Sequence, residues 1–365
     1  MKIVTVIGAR PQFVKAAAVS RAIAEHNAAL HNQQKAICEI IVHTGQHFDA
    51  NMSDIFFEEM QIPRPDYHLE INSMGHGAMT GRMLEKIEEV LVKEQPDFML
   101  VYGDTNSTLA GALAAKKLHI KIVHVEAGLR SFNMRMPEEI NRIVTDRISD
   151  ILCCPTDNAI DNLMREGFGQ FPCSIVKTGD VMQDAALFYS AFSAERSNII
   201  ESLGLFEQEF VLCTVHRAEN TDDGKRLKGI VSALNKIATE RRVVLPLHPR
   251  TRKILASSGN LLGFDPIEPV GYFDMLELLK RATCVMTDSG GLQKEAFFFK
   301  KPCITLRDET EWVELIELGV NKLAEASHSG IMRALKQVTD NPCAFNVDLY
   351  GNGMASANII KLLVS

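Results

Sequence analysis

The sequence predicts an α/β protein built from two Rossmann-like domains, each with a parallel sheet flanked by helices. Short apolar runs rich in β-branched residues alternate with amphipathic helical stretches, which is the pattern of parallel strands joined by crossover helices. Clusters of glycine and polar residues follow several strand-like runs, where parallel sheets place ligand sites. At 365 residues the chain is also long for one core, so two domains are expected.

The first half of the sequence contains both strand-like runs and helical stretches in alternation. The predicted strands are Ile3–Ile7, Glu39–His43, Phe98–Tyr102, Ile122–Val125, Ile151–Cys153 and Ser174–Thr178. The predicted helices are Gln12–His26, Met79–Glu94, Asn106–Leu118, Glu138–Ser149 and Asn158–Arg165. These elements form a predicted N-terminal Rossmann-like domain over residues 1–178.

The second half repeats this architecture without repeating the sequence. Its predicted strands are Phe210–Val215, Arg242–Pro246, Phe264–Ile267, Cys284–Thr287 and Cys303–Leu306. Its predicted helices are Lys225–Glu240, Phe273–Arg281, Leu292–Phe299 and Ser329–Val338. They form a predicted C-terminal Rossmann-like domain over residues 179–352, and a last helix over residues 353–365 is expected to pack back onto the first domain.

The bulk composition excludes several classes of protein. Hydrophobic residues make up 46% and charged residues 23% of the chain, as in soluble globular proteins. A net charge of −7 argues against general nucleic-acid binding, and the apolar runs are too short to cross a membrane or to act as a secretory signal. The eight cysteines are scattered, and several lie in apolar runs, which predicts reduced thiols and a cytoplasmic protein.

The segment Thr287–Glu295 predicts a site for a nucleotide diphosphate. Ser289, Gly290 and Gly291 form a small-residue turn between an apolar strand and a helix, so backbone N–H groups at the positive end of the helix dipole can approach phosphate. Glu295 follows about one and a half turns later, where a carboxylate can reach ribose hydroxyls. Ser-Gly-Gly alone also fits an ordinary serine cap with a glycine turn, so the assignment needs support from other motifs.

Three carboxylates lie in related positions in the first half. Asp104 and Glu126 each follow a predicted strand, and Glu138 begins a helix together with Glu139. Asp104 alone fits a helix cap, but an unpaired carboxylate at a buried strand end such as Glu126 is costly. Clustered carboxylates raise one another's pKa and can supply a general acid and a general base near neutral pH. A metal site is the alternative, but the histidines show no ligand spacing, so acid–base chemistry without a metal is favoured.

Cations and histidines follow other strands. Arg10 and Lys15 come after Gly8 at the end of the first strand, although a capped helix with two surface cations explains them as well. His216 ends the first strand of the second half and can donate to a phosphate or act as an acid, although a structural histidine fits the position equally. His248 repeats the pattern one strand later.

Taken together, these motifs resemble the UDP-N-acetylglucosamine 2-epimerase family. The resemblance runs nearly from end to end and is carried by Gly8-x-Arg10-Pro11 with Lys15, Gln46-His47, Gly103-Asp104-Thr105, His124-x-Glu126-Ala127-Gly128-Leu129-Arg130, Pro137-Glu138-Glu139-x-Asn141-Arg142, His216-Arg217, and Thr287-Asp288-Ser289-Gly290-Gly291 with Glu295. It implies two Rossmann-like domains facing across a cleft, as in GT-B glycosyltransferases, and a homodimer. A UDP-sugar is the implied ligand, and no cofactor is implied.

The resemblance also implies a reaction and the roles of residues. In this family the C2 proton of a UDP-sugar is removed while the C1–O bond to UDP breaks, which gives a 2-acetamidoglycal and UDP. In the non-hydrolysing branch UDP then adds back, with a proton on the opposite face. The implied acid–base carboxylates are Asp104, Glu126 and Glu138. The implied UDP-sugar ligands are Arg10, Lys15, Arg142, His216, Ser289, Gly290, Gly291 and Glu295, of which His216 and Arg10 would stabilise the departing diphosphate.

One departure from the family pattern bears on the substrate. Common UDP-N-acetylglucosamine epimerases have Thr-Glu-Arg-Pro-Glu where this chain has Trp312 in place of the arginine. With the segment 130–137, this version looks most like the branch that acts on UDP-2,3-diacetamido-2,3-dideoxyglucuronate, which feeds bacterial surface polysaccharides such as O-antigen. Arg135 is the expected partner of the uronate carboxylate.

Other functions are compatible with the same motifs. UDP-N-acetylglucosamine is the alternative substrate, with or without hydrolysis. A GT-B glycosyltransferase shares the fold and the nucleotide loop but does not need the three carboxylates, and a UDP-sugar sensor would bind without reacting. Gln46 and His47, with His248, are candidates for a second UDP-sugar site of the kind that activates some bacterial members.

Overall fold

The chain divides into two compact units. The structure, a computed structural model, describes residues 1–30, 36–46 and 63–365. The first unit contains Met1–Ala185 and Asp348–Ser365, and the second contains Ala186–Val347.

The unit boundaries differ by a few residues from those predicted at 178/179 and 352/353. Residues 179–185 and 348–352 lie with the first unit. One hydrogen bond joins these two segments to each other: the Asp180 N–H donates to the Tyr350 carbonyl at 2.8 Å.

Seven parallel strands form the sheet of the first unit. They are β1 (Lys2–Ile7), β2 (Cys38–His43), β3 (Tyr67–His68), β4 (Phe98–Tyr102), β5 (Lys121–Val125), β6 (Ile151–Cys154) and β7 (Ser174–Lys177). Their order is β3-β2-β1-β4-β5-β6-β7, which is the Rossmann order with one strand added. The topological switch point therefore lies between β1 and β4. The two-residue β3 was not predicted, because its apolar pattern is too short to recognise.

Helices flank this sheet. They are α1 (Arg10–Ala28), α2 (His76–Glu94), α3 (Asn106–Lys117), α4 (Pro137–Ile148), α5 (Asp157–Arg165), α6 (Val181–Ser190, which ends in the second unit) and the C-terminal helix Ala355–Val364. The C-terminal helix packs against α1. It is also held at its start by Asp184 on α6, whose carboxylate accepts the N–H groups of Ala355 and Ser356 at 3.1 and 2.6 Å.

Five parallel strands form the sheet of the second unit. They are β8 (Phe210–Thr214), β9 (Arg242–Val244), β10 (Cys284–Thr287), β11 (Cys303–Thr305) and β12 (Asn321–Leu323). The order β12-β11-β10-β8-β9 puts the switch point between β8 and β10. The predicted strand Phe264–Ile267 is wrong, since only Ile267 pairs, through one bridge to Pro246. The Ile267 N–H donates to the Leu245 carbonyl and its carbonyl accepts the Leu247 N–H, so residue 269 would have to donate the next bond; it is Pro269, which has no N–H, and the pairing does not extend.

Helices also cover both faces of the second sheet. They are α7 (Ser193–Arg196), α8 (Ile199–Ser202), α9 (Ala218–Thr221), α10 (Gly224–Ala238), α11 (Pro249–Ser258), α12 (Tyr272–Arg281), α13 (Gly290–Phe298), α14 (Val313–Glu317) and α15 (His328–Asp340). Apolar side chains fill the space on each side of the sheet. The predicted fold class, α/β with two parallel sheets flanked by helices, is confirmed. Over the described ranges, no helix is both long and apolar enough to cross a membrane.

Burial on both faces explains why the strands could be recognised. In β1, Ile3, Val4, Val6 and Ile7 are all fully buried. Continuous rather than alternating burial is expected of a parallel sheet that helices cover on both sides. The candidate site residues Asp104, Glu126 and His216 come after the ends of such buried strands.

Candidate active site

In each unit, predicted site residues follow the two strands that border the switch point. Gly8 follows β1, and Gly103 and Asp104 follow β4 in the first unit. In the second unit, His216 lies just beyond β8 and Ser289 lies just beyond β10. Open parallel sheets bind ligands at this place because the loops diverge there and leave a crevice beyond the strand ends.

Glu126, which directly follows β5, is buried and ion-paired. Its Oε2 accepts a hydrogen bond from the Lys15 ammonium, and both side chains are 9% exposed. Its backbone lies in the left-handed region at φ 71°, which is uncommon for a residue other than glycine. A Cβ on Gly103 would lie 3.2 Å from both Lys15 Nζ and Glu126 Oε2, so the pair lies against the residue before Asp104. The side chain of Arg10, predicted beside Lys15, is outside the described part of the structure.

Arg142 on α4 joins two carboxylates. Its Nη2 donates to Asp104 Oδ2, and its Nη1 donates to Glu139 Oε2. The neighbouring Asn141 donates to the Asp104 carbonyl at 3.0 Å. The Asp104 side chain is 30% exposed, whereas those of Arg142 and Glu139 are buried. Asp104 is therefore the member of this group that a ligand can reach.

The two adjacent glutamates at the start of α4 have different surroundings. Glu139 is fully buried and accepts hydrogen bonds from the N–H groups of Ser131 and Phe132 at 2.9–3.1 Å. Glu138, the predicted acid–base residue, is exposed, and within the described ranges its side chain joins neither Arg142 nor the loop. Arg135 is exposed as well. The structure thus groups Asp104 with Glu139 and leaves Glu138 at the surface.

A buried charge network lies behind the Gly103 turn. His124 Nδ1 is 2.7 Å from Asp146 Oδ1, and His124 Nε2 is 2.7 Å from the Gly103 carbonyl. Each ring nitrogen of His124 therefore has an oxygen acceptor within hydrogen-bond distance. Arg130 donates to Asp146 at 2.6 Å. Burial alone would raise the pKa of Asp146, but hydrogen bonds and charge from His124 and Arg130 hold it below its usual value.

Asp288 organises the end of β8 in the second unit. Its carboxylate is fully buried and accepts the N–H groups of His216 and Arg217, each at 3.0 Å, and the side-chain amide of Asn220 at 3.2 Å. His216 Nδ1 lies 3.2 Å from Asp288 Oδ1, and 48% of the His216 side chain is exposed. His216 is therefore an accessible ring held from one side by a buried carboxylate.

The segment predicted to bind phosphate begins α13. The Ser289 hydroxyl accepts the Leu292 N–H at 3.5 Å, and the Ser289 N–H donates to Thr287 Oγ1 at 2.9 Å. Gly290 and Gly291 are the first two residues of the helix, and their N–H groups have no partner within it. The serine cap and a phosphate site are compatible here, because the cap satisfies Leu292 and leaves the glycine N–H groups for a ligand.

Glu295, the predicted ribose ligand, lies further along α13 and is 8% exposed. Burial, and then the nearby charge of Glu295, raise the pKa of Tyr272 well above its usual value. The carboxylate of Glu295 therefore lies close to the start of α12.

The residues predicted for a second UDP-sugar site belong to different units. Gln46, in the first unit, accepts the N–H of Ser107 at 3.1 Å and its hydroxyl at 2.9 Å. His248, in the second unit, caps α11 by accepting the Arg250 N–H at 3.2 Å. His47 lies outside the described residues. Within residues 1–30, 36–46 and 63–365, no group of three His, Cys, Asp or Glu side chains could hold a metal ion.

Three buried acids that organise these sites were not among the predicted functional residues, namely Glu139, Asp146 and Asp288. The sequence contains a signal for the first two, because Glu139, Arg142 and Asp146 occupy one face of α4 at i, i+3 and i+7. An amphipathic helix normally buries apolar side chains at that spacing. Charged residues there indicate a buried ion-pair network.

Comparisons with known proteins cover the whole chain. A family model described as UDP-N-acetylglucosamine 2-epimerase matches residues 28–364. The chain is 57% identical over 365 residues to the UDP-2,3-diacetamido-2,3-dideoxy-D-glucuronate 2-epimerase of Pseudomonas aeruginosa, over 100% of this chain and 99% of that protein. It is 41% identical over 376 residues to the UDP-N-acetylglucosamine 2-epimerase of Methanocaldococcus jannaschii, again over 100% of this chain and 99% of that protein.

Solved structures of related enzymes also match the chain over its full length. The crystal structure of the Methanocaldococcus jannaschii UDP-GlcNAc 2-epimerase in complex with UDP-GlcNAc and UDP matches with a TM-score of 0.87 and 40% identity, over 100% of this chain and 99% of that chain. The Neisseria meningitidis enzyme bound to UDP-GlcNAc matches with a TM-score of 0.85 and 30% identity over 100% of both chains. Identity of this order over full-length chains shows that the chain belongs to the UDP-N-acetylglucosamine 2-epimerase family.

Proposed function

We propose that this chain is a non-hydrolysing UDP-sugar 2-epimerase that converts UDP-2,3-diacetamido-2,3-dideoxyglucuronate to its manno epimer for the synthesis of surface polysaccharide. The observation that carries the proposal is the 57% identity over the whole chain to a Pseudomonas aeruginosa enzyme named for this substrate. The exposed Arg135 adds support, because a guanidinium can bind a uronate carboxylate through two parallel hydrogen bonds.

The first chemical step requires a base near C2 of the sugar. The base removes the C2 proton while the C1–O bond breaks, so that the electron pair of this bond leaves with UDP and a double bond joins C1 and C2. Asp104 and Glu126 are suited to this role because the carboxylate of each contacts a cation, Arg142 and Lys15 respectively. A carboxylate that is already deprotonated at neutral pH can accept the proton.

The second step reverses the first on the other face of the sugar. A β-phosphate oxygen of UDP adds to C1, and an acid delivers a proton to C2 from the side opposite to the one that lost it. Glu138 is the candidate for one of the two faces, since it is exposed at the start of α4. One carboxylate gains a proton as another loses one, so the reaction needs no cofactor and no net proton.

The nucleotide half of the reaction is assigned to the second unit. Negative charge develops on the β-phosphate as UDP departs, and donors aimed at that charge lower the barrier. His216 is suited to this because half of its ring is exposed and Asp288 orients it. The N–H groups of Gly290 and Gly291 at the start of α13 are the proposed diphosphate ligands, and Glu295 the proposed ribose ligand.

The test compares UDP-2,3-diacetamido-glucuronate with UDP-N-acetylglucosamine, using one enzyme sample in heavy water and NMR as the readout. We expect deuterium at C2, formation of the manno epimer and a higher kcat/KM for the uronate sugar. Arg135→Ala should lower that preference roughly tenfold or more, because it removes a hydrogen-bonded partner of the carboxylate. The exposed Asp161 on α5 provides the control, since Asp161→Asn should change neither sugar's kcat/KM.

Each other outcome of this test has a definite meaning. No deuterium at C2 with either sugar would contradict an epimerase. Free sugar and UDP as final products would place the chain in the hydrolysing branch. Preference for UDP-N-acetylglucosamine would favour the substrate of the relative that is 41% identical.

A homodimer in the cytoplasm is part of the same proposal. Its support is the resemblance to the family, together with eight cysteines that are all unpaired in the described ranges, five of them buried. Light scattering should give about twice the chain mass of 40.5 kDa, and a mass near 40.5 kDa would contradict a dimer. Activation through Gln46, His47 and His248 stays a prediction, and strictly hyperbolic kinetics over a broad substrate range would argue against it.

A further inference from the structure

Two side chains from the loop between β11 and α14, Thr310 and Trp312, hold the start of α13 in three ways. The Thr310 hydroxyl donates to Gln293 Oε1 at 2.8 Å. Lys294 Nζ lies 4.0 Å from the centre of the Trp312 ring. A Cβ on Gly290 would lie 3.6 Å from Trp312 Nε1, so the indole borders the glycine turn directly.

Lys294 is unusual because its charge is buried. The residue is 1% exposed, and Trp312 is 3% exposed. A buried ammonium group is costly unless its neighbours compensate for the lost water. The face of a tryptophan ring attracts a cation more strongly than other aromatic side chains do, and more so when both groups are shielded from solvent. The Lys294 ammonium and the Trp312 indole therefore hold each other in position.

The Glu311 carboxylate also lies next to Gly290 in this turn. A side chain on Gly290 would collide with Glu311 Oε1. Burial alone would raise the pKa of Glu311, but the charge of Arg307, which donates to it at 2.8 Å, holds that pKa below its usual value. An ionised carboxylate at a phosphate site repels the ligand. The charges of Arg307 and Lys294 oppose this repulsion.

We propose that Trp312 and Lys294 are a pair of positioning residues that fix the Gly290–Gly291 turn and thereby set the affinity for the diphosphate of the nucleotide. The inference rests on the proposed function, in which this turn binds UDP. A turn that is already in its binding conformation binds more tightly, because less freedom is lost when the ligand arrives. Trp312 fixes the turn from the loop side, and Lys294 adds positive charge behind it.

The contact between Trp312 and Lys294 predicts the effect of an arginine at position 312, where common family members have one. An arginine there would face the buried ammonium of Lys294, and two like charges at short range repel. Replacing Lys294 by glutamate at the same time would supply an anion for that arginine. Trp312→Arg should therefore be more harmful alone than in combination with Lys294→Glu.

The test measures UDP binding by calorimetry, with thermal unfolding of the same full-length samples. Trp312→Leu and Lys294→Met should each weaken UDP binding about tenfold, whereas Trp312→Phe, which keeps a ring, should weaken it only about threefold. The double Leu/Met variant should lose little more than either single variant, because the two side chains act together. Trp312→Arg should bind most weakly, and adding Lys294→Glu should restore about tenfold.

The matched control packs against the same helix. Phe345 packs against Phe297 near the end of α13, with ring centres 6.0 Å apart. Phe345→Leu should lower the unfolding temperature and leave UDP affinity unchanged, which separates helix stability from positioning.

Three results would overturn the inference. The first is that folded Trp312→Leu and Lys294→Met bind UDP as tightly as the wild type does. The second is that the double variant loses as much binding free energy as the two single variants together. The third is that Lys294→Glu does not improve UDP binding by Trp312→Arg. If Trp312→Arg does not fold, the Leu, Phe and Met variants decide the question. Failure of the wild-type protein to bind UDP would instead overturn the proposed function.

Discussion

The two candidate regions present charge in different ways. In the first unit, ionised side chains form the site itself, since Lys15 pairs with Glu126 and Arg142 pairs with Asp104. In the second unit, the groups available to a ligand are the N–H groups of two glycines and one half-exposed histidine ring. The buried Asp288 lies behind that ring and orients it.

This difference matches two different tasks. Proton transfer requires groups that can gain and lose a proton near neutral pH. Holding a diphosphate requires donors whose charge stays constant, and backbone N–H groups at a helix start meet that requirement. We therefore propose that proton transfer belongs to the first unit and nucleotide affinity to the second, and substitutions in each can separate the two.

The largest effect is expected from Glu126→Gln. The amide cannot take up a proton, so kcat should fall about 10²–10⁴-fold. UDP affinity should not change, since the nucleotide ligands are assigned to the other unit. Steady-state epimerisation and calorimetry measure the two quantities, with Asp161→Asn as the control. A variant that retains wild-type kcat would remove Glu126 from the acid–base set.

Asp146→Asn should cost about 3–5 kcal/mol of unfolding free energy at neutral pH, because it leaves the buried charge of Arg130 without this anion and removes the carboxylate that faces His124. The folded pKa of Asp146 is lowered, so its contribution is complete above the usual carboxyl pKa and is lost as the pH falls through the folded value. The part of the stability difference that comes from the ionised carboxylate should shrink as the pH falls below about 4.

Urea unfolding at several pH values measures this difference. Glu166→Gln is the matched control, because Glu166 is the partly exposed partner of the same arginine and should cost less than about 1 kcal/mol. A difference between wild type and Asp146→Asn that grows as the pH falls below about 4 would contradict an ionised Asp146.

Gly291→Ala should weaken UDP binding about tenfold or more, because its methyl group would stand where phosphate approaches the backbone and would disturb a hydrogen bond to charge. The fold should tolerate it, since the nearest atom to the new Cβ is Ser289 Oγ at 4.0 Å. Gly271→Ala at the start of α12 is the control, with nothing within 4 Å of its Cβ. Unchanged UDP affinity would mean that the ligand does not approach the turn.

The smallest effect is expected from Ser289→Ala. Its cap hydrogen bond is long, at 3.5 Å, so the loss of stability should be about 0.5 kcal/mol. Ser327 caps α15 through a shorter bond of 3.1 Å, so Ser327→Ala should cost about 1 kcal/mol. UDP affinity should fall only in Ser289→Ala. Equal affinities in the two variants would reduce Ser289 to a helix cap.

Much of the fold could be predicted because buried parallel strands have continuous apolar runs. The predicted strands Phe98–Tyr102 and Cys284–Thr287 are observed with the same bounds as β4 and β10. The predicted strand Phe264–Ile267 failed because composition does not show whether backbone groups find a partner, and Pro269, the next residue that would have to donate beyond Ile267, has no N–H.

The site was predictable at the level of motifs but not of orientation. Glu138 and Glu139 are adjacent acids in the first turn of one helix, so local sequence gives both the same expectation. The Glu139 side chain is buried because Arg142 and two backbone N–H groups of the preceding loop donate hydrogen bonds to its carboxylate. Those partners are brought there by tertiary packing, and no local pattern contains that information.

The most direct measurement of the division between the units is the exchange of the C2 hydrogen with heavy water at saturating UDP-sugar, in Glu126→Gln and Gly291→Ala side by side. We predict near wild-type exchange for Gly291→Ala once it is saturated, and exchange that falls with kcat for Glu126→Gln although its UDP affinity is unchanged. Wild-type exchange in Glu126→Gln, together with lost exchange in saturated Gly291→Ala, would contradict the assignment of proton transfer to the first unit.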